Sequence, residues 1–373
     1  MQKLLFLEKV DLEVLKREIT HLSELDEVKS LLILACDKSN FTEDEFEKIL
    51  PTNLPVFGGI FPQIIDNEEI YEYGILIIGL NQQVELTISL NISNEENEFE
   101  TDFNQELIDA GYKTLFVFVD GYSTRISDYI STIFNTYGLE LNIIGGGAGS
   151  MEMIQKPCII YGNKRYKDAA VIGGIKSKSG IGVKHGWKTL AGPFKINESE
   201  KNTLMMLDNK SAWEIYQEVV EKHSQQKISE NNFYSIANAY PFGITTYGKE
   251  KIVRDPIKLI DNKSIQCIGD FTQNSFIHIM QGNAEDLISA TRQACSEARQ
   301  GIGPKTDNEA IFFIDCISRR YFLKDEYEKE IKTITQNGIE TFGALTLGEI
   351  GNSGKDYLEF YNKTSVVAIL KDL

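Results

Sequence analysis

The sequence predicts an α/β protein of two domains, each a mixed and largely buried sheet flanked by helices. Three observations predict it. Continuous apolar runs rich in Ile, Val, Leu and Phe end abruptly in polar turns, the signature of strands buried on both faces. Each run is followed by a capped helical pattern and then by a second run, so strands and helices alternate. The same order of strand, helix, strand, small-residue turn and further strand occurs three times in 373 residues, a length that itself suggests two domains.

The first unit is "SLLILACDKSNFTEDEFEKIL" at 30–50. Its apolar run stops at Cys36-Asp37, and Thr42 with Glu45 forms a capping box that opens a short helix. "LPVFGGIF" and "YGILIIGL" complete it. A second unit reads "TLFVFVDGY", a helix near 124–136, "LNIIGGGAGS" and "AAVIGGI". The third reads "AIFFIDC", a turn through Ser318-Arg319-Arg320, a helix opened by Asp325 with Glu328, then "ETFGALTLGEIG" and "TSVVAIL". The distance from the end of the first strand to the small-residue turn is similar in all three: Cys36 to Gly58, Gly121 to Gly145, Cys316 to Gly343. Close backbone packing is therefore expected at these glycines.

The intervening segments have another character. "KPCIIYGNKRYKDAAVIGGI" reads as strands around a Gly162-Asn163 hairpin, and a further turn falls at Asp208-Asn209 before a helix opened by Ser211 and Glu214. "HSQQKISENN" at 223–232 lacks apolar periodicity and reads as a linker, which divides the chain into residues 1–228 and 229–373. Beyond it, "AYPFGI" and "EKIVRDPIKLI" start a new set of strands. A helix follows with Leu287, Ile288, Ala290, Ala294 and Ala298 on its apolar face, stopping near Gly301.

Composition excludes several classes of function. With 55 acidic against 38 basic side chains the formal charge is −17, which repels phosphate backbones, so no nucleic-acid partner is expected. The five cysteines, Cys36, Cys158, Cys267, Cys295 and Cys316, are scattered and odd in number, against both a disulfide framework and a zinc site. No segment approaches the length needed to span a bilayer, so no membrane insertion is expected and a cytoplasmic location fits. The run Gly145-Gly146-Gly147-Ala148-Gly149 is followed by "SMEMIQKPCIIYG" rather than a helical pattern, and no Walker-type GKS or GKT occurs. Neither a nucleotide cofactor nor any other cofactor or metal is expected.

The ordered set "IGGGAGS", "GIGVKHGW", "LDNKSAWEIY", "YPFGI", "VRDP", "CISR", "LGEIG" and "NKTS" resembles proteins with tandem FIST N- and C-terminal domains, and the resemblance runs from about residue 28 to near the end. Two departures stand out: Asp208-Asn209 replaces the usual Asp-Gly turn, and no output domain is expected within these residues. The resemblance implies a sensory, ligand-binding module in signalling. It also implies small ligands such as amino acids, no assigned reaction, and output through a signalling protein partner.

The candidate site residues each carry a functional reading and a structural one. Cys316 ends a strand where α/β folds place their crevices, so it is a ligand contact, a redox thiol, a nucleophile or a small core residue. Arg319 presents a planar fork to a carboxylate, or pairs with an acid of the following helix. Glu349 receives an ammonium while Arg319 holds the carboxylate of the same amino acid, or it pairs with Arg319 or Arg254. His185 and Trp187 flank Gly186 as ligand contacts or as a satisfied core pair, and Arg254, at a strand end entering a turn, is a second anion contact or a structural one. Asn362 and Thr364 supply neutral hydrogen bonds or open the last strand. The expected function is a small-molecule sensor for an amino acid or small organic acid; the alternatives are an interaction scaffold without ligand and an enzyme using Cys316.

Overall fold

The computed structural model describes residues 2–7, 11–39, 41–245, 251–335, 338–352 and 357–373. Its apolar runs form three six-stranded mixed sheets, and a set of antiparallel strands forms a barrel.

The first sheet has the order Gln2–Phe6, Ile75–Leu80, Ser30–Cys36, Val56–Phe61, Ile159–Tyr161 and Lys164–Tyr166. The second runs Glu359–Tyr361, Glu349–Gly351, Asn142–Ala148, Thr114–Asp120, Ala169–Ile175 and Glu85–Leu90. The third runs Ser179–Lys184, Ser365–Lys371, Glu309–Cys316, Glu340–Thr346, Gln63–Asp66 and Glu69–Tyr71. Each contains a single parallel pair: Ser30–Cys36 with Val56–Phe61, Thr114–Asp120 with Asn142–Ala148, and Glu309–Cys316 with Glu340–Thr346. A helix crosses over between the members of each pair, because parallel neighbours need a long connection. Each sheet also takes its edge hairpin from elsewhere in the chain. Ile159–Tyr161 pairs with Val56–Phe61, Glu349–Gly351 with Asn142–Ala148, and Gln63–Asp66 with Glu340–Thr346.

The inner faces of the sheets meet in one aromatic core. Phe116 of the second sheet packs 5.9 Å from Phe57 of the first and 5.2 Å from Phe312 of the third, and Phe312 packs 5.2 Å from Phe342. All four are fully buried, each contributing ~1.5–3 kcal/mol of hydrophobic stabilisation. The expected close approach at the glycines is present, but inside the second parallel strand rather than in a turn. A Cβ at Gly58, Gly145 or Gly343 would lie 1.9, 1.7 or 1.8 Å from the carbonyl oxygen of Ile33, Val117 or Phe313 on the facing strand.

The barrel was not foreseen from the sequence. Its ring runs Lys188–Glu200, Phe276–Gln281, Phe242–Ile244, Ile252–Ile260, Ser264–Ile268 and Thr203–Leu207, and closes where the last strand pairs with the first. All its pairings are antiparallel. The boundary expected at 228/229 thus runs through the barrel's connection rather than between strand sets. The 223–232 stretch ends the helix Ala212–Ser224 and leads through the turn Glu230–Asn232 to the short helix Phe233–Ala237. Ile228 and Phe233 are buried in the barrel's own core.

Local signals hold in detail. Thr42 and Glu45 form a complete capping box, and the Ser211 side chain accepts the Glu214 N–H. Asp208 and Asn209 adopt φ of 43° and 64°, the left-handed pair a tight hairpin requires. Helix Ala284–Ile302 lays its apolar face on Ser179–Lys184 and Ser365–Lys371, and ends at Gly303. Two expectations are corrected. The helix read as opening at Asp325 is Tyr327–Thr335, with Asp325 in the one-turn stretch before it, and a further short helix, Ile317–Leu323, follows the strand directly. Arg254 sits inside the strand Ile252–Ile260, whose register shifts between Pro256 and Lys258, so the chain absorbs the proline as a bulge without ending the strand. Among the described residues no helix is long and apolar enough to cross a membrane.

Candidate functional site

The carboxyl ends of the third sheet's parallel strands meet the barrel in a buried polar cluster. Helix Ile317–Leu323 starts immediately after Cys316, so the residue one turn on, Arg319, turns back under the sheet. Arg319 is 0% exposed. Its Nε stands 3.0 Å from Asp315 Oδ1, and its Nη2 bonds Glu330 Oε1 and, at 3.1 Å each, the Leu287 carbonyl and Thr291 Oγ1. Its Nη1 donates to the carbonyls of His185 at 2.7 Å and Lys363 at 3.3 Å. Burial opposes this charge, but Glu330 and Asp315 outweigh it and raise the guanidinium above its usual pKa. The two acids share further donors. Ser365 Oγ bonds Asp315 at 3.0 Å and Glu330 at 3.2 Å, and Tyr327 Oη donates to Asp315 at 2.7 Å. Burial, then the charge of Glu330, push Asp315 up. Arg319 therefore pairs with an acid of the strand and one of the following helix, inside the protein rather than at its surface.

Cys316 and Glu349 form the next layer. Glu349 accepts Thr346 Oγ1 at 3.1 Å and the Thr364 N–H at 3.1 Å, and it pairs with neither Arg319 nor Arg254. Burial, with the Asp315 charge adding, holds its pKa well above the carboxylate range. The Cys316 thiol is likewise raised, by burial first and then by Glu349 and Asp255. Thr364 Oγ1 bonds the Asn362 carbonyl at 2.8 Å.

The cluster's second charged pair joins the barrel to the third sheet. Lys363, 0% exposed and in the left-handed region at φ 52°, places its ammonium 3.2 Å from Asp255 Oδ1. It also donates to Asn238 Oδ1 at 2.5 Å and to the Asn238 carbonyl at 3.1 Å, and it lies 5.3 Å over the Trp187 ring. Asp255 Oδ2 accepts the Ser318 hydroxyl at 2.5 Å. Outside this, Tyr234 of the short helix is 36% exposed, and its phenol is raised by burial and by Asp255, with a hydrogen bond to Ser318 opposing. Asn362 is 0% exposed, yet among the described residues neither its Oδ1 nor its Nδ2 has a partner. A buried amide in that state costs ~1–3 kcal/mol unless something else satisfies it.

His185 and Trp187 are both buried. The Trp187 N–H donates to His185 Nδ1 at 2.8 Å, which assigns the ring proton to Nε2, and Trp187 Nε1 donates to the Lys363 carbonyl at 3.1 Å. Burial, then the charges of Arg319 and Lys184, push His185 down to about 3. Seven of the eight sequence candidates thus join one network. Arg254 does not. Strand alternation sends it away from Asp255; it bonds the Asp270 carbonyl beside the barrel and reaches the second sheet at the Phe360 carbonyl, at 3.1 Å each.

The sequence reading passed over Asp255, Lys363, Ser318, Asn238, Asp315 and Glu330. The first two lay inside motifs already singled out, "VRDP" and "NKTS", where the neighbouring residue was chosen instead. Among the described residues no three His, Cys, Asp or Glu side chains are placed to hold a metal ion.

Comparison with known proteins adds the family. None of the curated proteins compared with the chain matches it. The FIST N domain matches residues 30–210 and the FIST C domain residues 212–352, and the break between them falls within the barrel. FIST domains are sensory and signalling modules of a general kind. Between them the two matches take in the three sheets' parallel pairs with Cys316, Arg319 and Glu349, while Asn362, Lys363 and Thr364 lie beyond residue 352, and the chain belongs to the FIST family as a tandem of FIST N and FIST C domains.

Proposed function

We propose that the chain is a small-molecule sensor whose ligand, an amino acid or small organic acid, is held at the third sheet's strand ends by Lys363, Asp255 and Asn362. The observation that carries this reading is Asn362, an enclosed amide with both polar atoms unpartnered beside a buried ion pair. A ligand carboxylate takes the Lys363 ammonium and an amide hydrogen of Asn362, and an α-ammonium takes Asp255. Such a seat trades the internal pair for ligand pairs, so neither charge is stranded. Cys316, Glu349 and Thr364 form its inner wall, and Tyr234 is the cover. The role first read for Arg319 and Glu349 passes to Lys363 and Asp255, because Arg319 is already matched by two acids and Glu349 is taken up by Thr346 and Thr364.

Output follows from where the pair sits. Asp255 belongs to the barrel and Lys363 to the third sheet's side, so exchanging their bond for two ligand bonds changes how the barrel packs and which surface a signalling partner meets. The high thiol pKa of Cys316 supports sensing over thiol catalysis. The recurrence of one parallel pair per sheet supports reading the chain as three copies of a strand-helix-strand unit.

The test is thermal unfolding against a panel of amino acids and small organic acids. A compound at 100 times its dissociation constant adds about 2.7 kcal/mol. The stabilisation is expected to vanish in Asn362→Leu, and in the charge-balanced pair Lys363→Met with Asp255→Leu. A panel without effect on the unsubstituted protein would favour the scaffold reading.

A further inference from the structure

We infer that the chain carries a second small-carboxylate site, in its FIST N domain at the carboxyl ends of the first sheet's parallel strands, with Arg165 as the group that reads the anion.

A pocket of about 210 Å³ opens where Ser30–Cys36 and Val56–Phe61 end. This is the position at which α/β sheets place their crevices. Cys36, Asp37 and Ile60 form its floor, Phe41 and Phe46 one wall, and the segment from Gly149 to Cys158 its roof. The volume suits a molecule of amino-acid size.

Arg165 enters from the edge hairpin Lys164–Tyr166, with its guanidinium 5.0 Å over the Phe46 ring. The stack fixes the plane of the fork while leaving its N–H edge free, the geometry that accepts a carboxylate side-on. Among the described residues that guanidinium makes no hydrogen bond or ion pair, and its Nε is buried without a partner. Glu43 and Glu45 act on it only at longer range. The other cation of the pocket, Lys156, is committed to Glu152 at 2.6 Å. Arg165 is thus the pocket's unmatched charge. Opposite it, Asp37 and Ser150 give a polar end for an ammonium or hydroxyl substituent, and Phe41, Ile60 and Pro157 give an apolar side for the rest.

The equivalent ends of the other two sheets are built differently, the third being the seat proposed above. At the second, Asp120 is enclosed and accepts the N–H groups of Tyr122 and Asp168 at 3.1 and 2.7 Å and the Gln155 amide at 2.8 Å. At the third, the barrel covers Cys316 through Asp255. The roof of the first-sheet pocket is also the segment that exposes Met151, Met153 and Ile154, so a ligand beneath it orders an apolar surface.

The experiment titrates the full chain with acetate, propionate, benzoate, lactate and alanine, and with acetamide and benzamide as uncharged controls, following thermal stability and hydrogen exchange. At least one carboxylate is expected to bind with saturation, with slowed exchange in 149–158 and no response to its amide. Arg165→Gln, a substitution at a half-buried edge position, weakens that binding by about tenfold or more, and Arg165→Lys recovers part of it. Asn362→Leu leaves it unchanged, which separates this site from the one at Lys363. The proposal is overturned if no probe binds, if the amides bind as well, if Arg165→Gln binds normally, or if only Asn362→Leu abolishes binding.

Discussion

Replacing Arg319 by methionine removes the cation from a site with no solvent. The guanidinium is 0% exposed and is shared between Asp315 and Glu330, with three carbonyls and a hydroxyl taking its remaining donors. Breaking a buried pair from one side costs ~3–5 kcal/mol, because the partner charge stays behind. Two carboxylates stay behind here, and each can escape only by taking up a proton. In the variant both acids therefore have folded pKa values raised above their unfolded values near 4. The folded state then binds more protons than the unfolded state, so stability rises as pH falls from 8 to 5, by up to ~1.4 kcal/mol per unit for each acid that is protonated in the folded state and still ionised in the unfolded one. Equilibrium urea unfolding of Arg319→Met should show a loss of ~3–5 kcal/mol at pH 8 that shrinks on acidification. Adding Asp315→Leu and Glu330→Leu should restore most of it. A variant within about 1 kcal/mol of the parent at pH 8, or one that weakens on acidification, would refute the view of Arg319 as framework.

Three further outcomes follow from the same network. His185, held down to about 3, should stay neutral at pH 5 by NMR of labelled histidines. Because its folded pKa is depressed below the unfolded value near 6.5, it withdraws stability as pH falls, about 2 kcal/mol by pH 5. A ring protonating near 6 would contradict this. Gly145→Ala drives a methyl to 1.7 Å from the Val117 carbonyl and should abolish soluble folding or cost more than ~3 kcal/mol, measured by yield and urea midpoint. Normal expression with parental stability would be inconsistent with the tight parallel pair. Cys316, buried and raised, should resist iodoacetamide at neutral pH no less than the other four cysteines, all buried; selective alkylation by mass spectrometry would instead favour a reactive thiol.

Much of the fold was legible because it is written locally. The apolar runs became strands buried on both faces, and Thr42, Ser211 and Asp208-Asn209 set their helix starts and turn as their side-chain chemistry demands. The barrel was not legible, since its ring joins Lys188–Glu200 to Phe276–Gln281 and Thr203–Leu207 to Ser264–Ile268, pairings that no local spacing encodes. The short helix Ile317–Leu323 was missed because Cys316 opens it with no side-chain capping bond, while Asp325 marked only the helix that follows, Tyr327–Thr335. The site was half legible. "VRDP" and "NKTS" both enter the buried cluster, but seeing that Asp255 rather than Arg254 does so requires knowing which face of the strand meets the third sheet. Choosing Lys363 requires knowing that its ammonium is enclosed between Asp255, Asn238 and Trp187.

The central claim is that Lys363, Asp255 and Asn362 hold the ligand. Its most direct test is a crystal structure with the amino acid or organic acid that stabilises the protein most. The account predicts the ligand carboxylate in hydrogen-bond contact with both the Lys363 ammonium and the Asn362 amide, with the Lys363–Asp255 separation opened beyond its present 3.2 Å. An intact pair, an Asn362 amide without ligand and the compound bound elsewhere would contradict it.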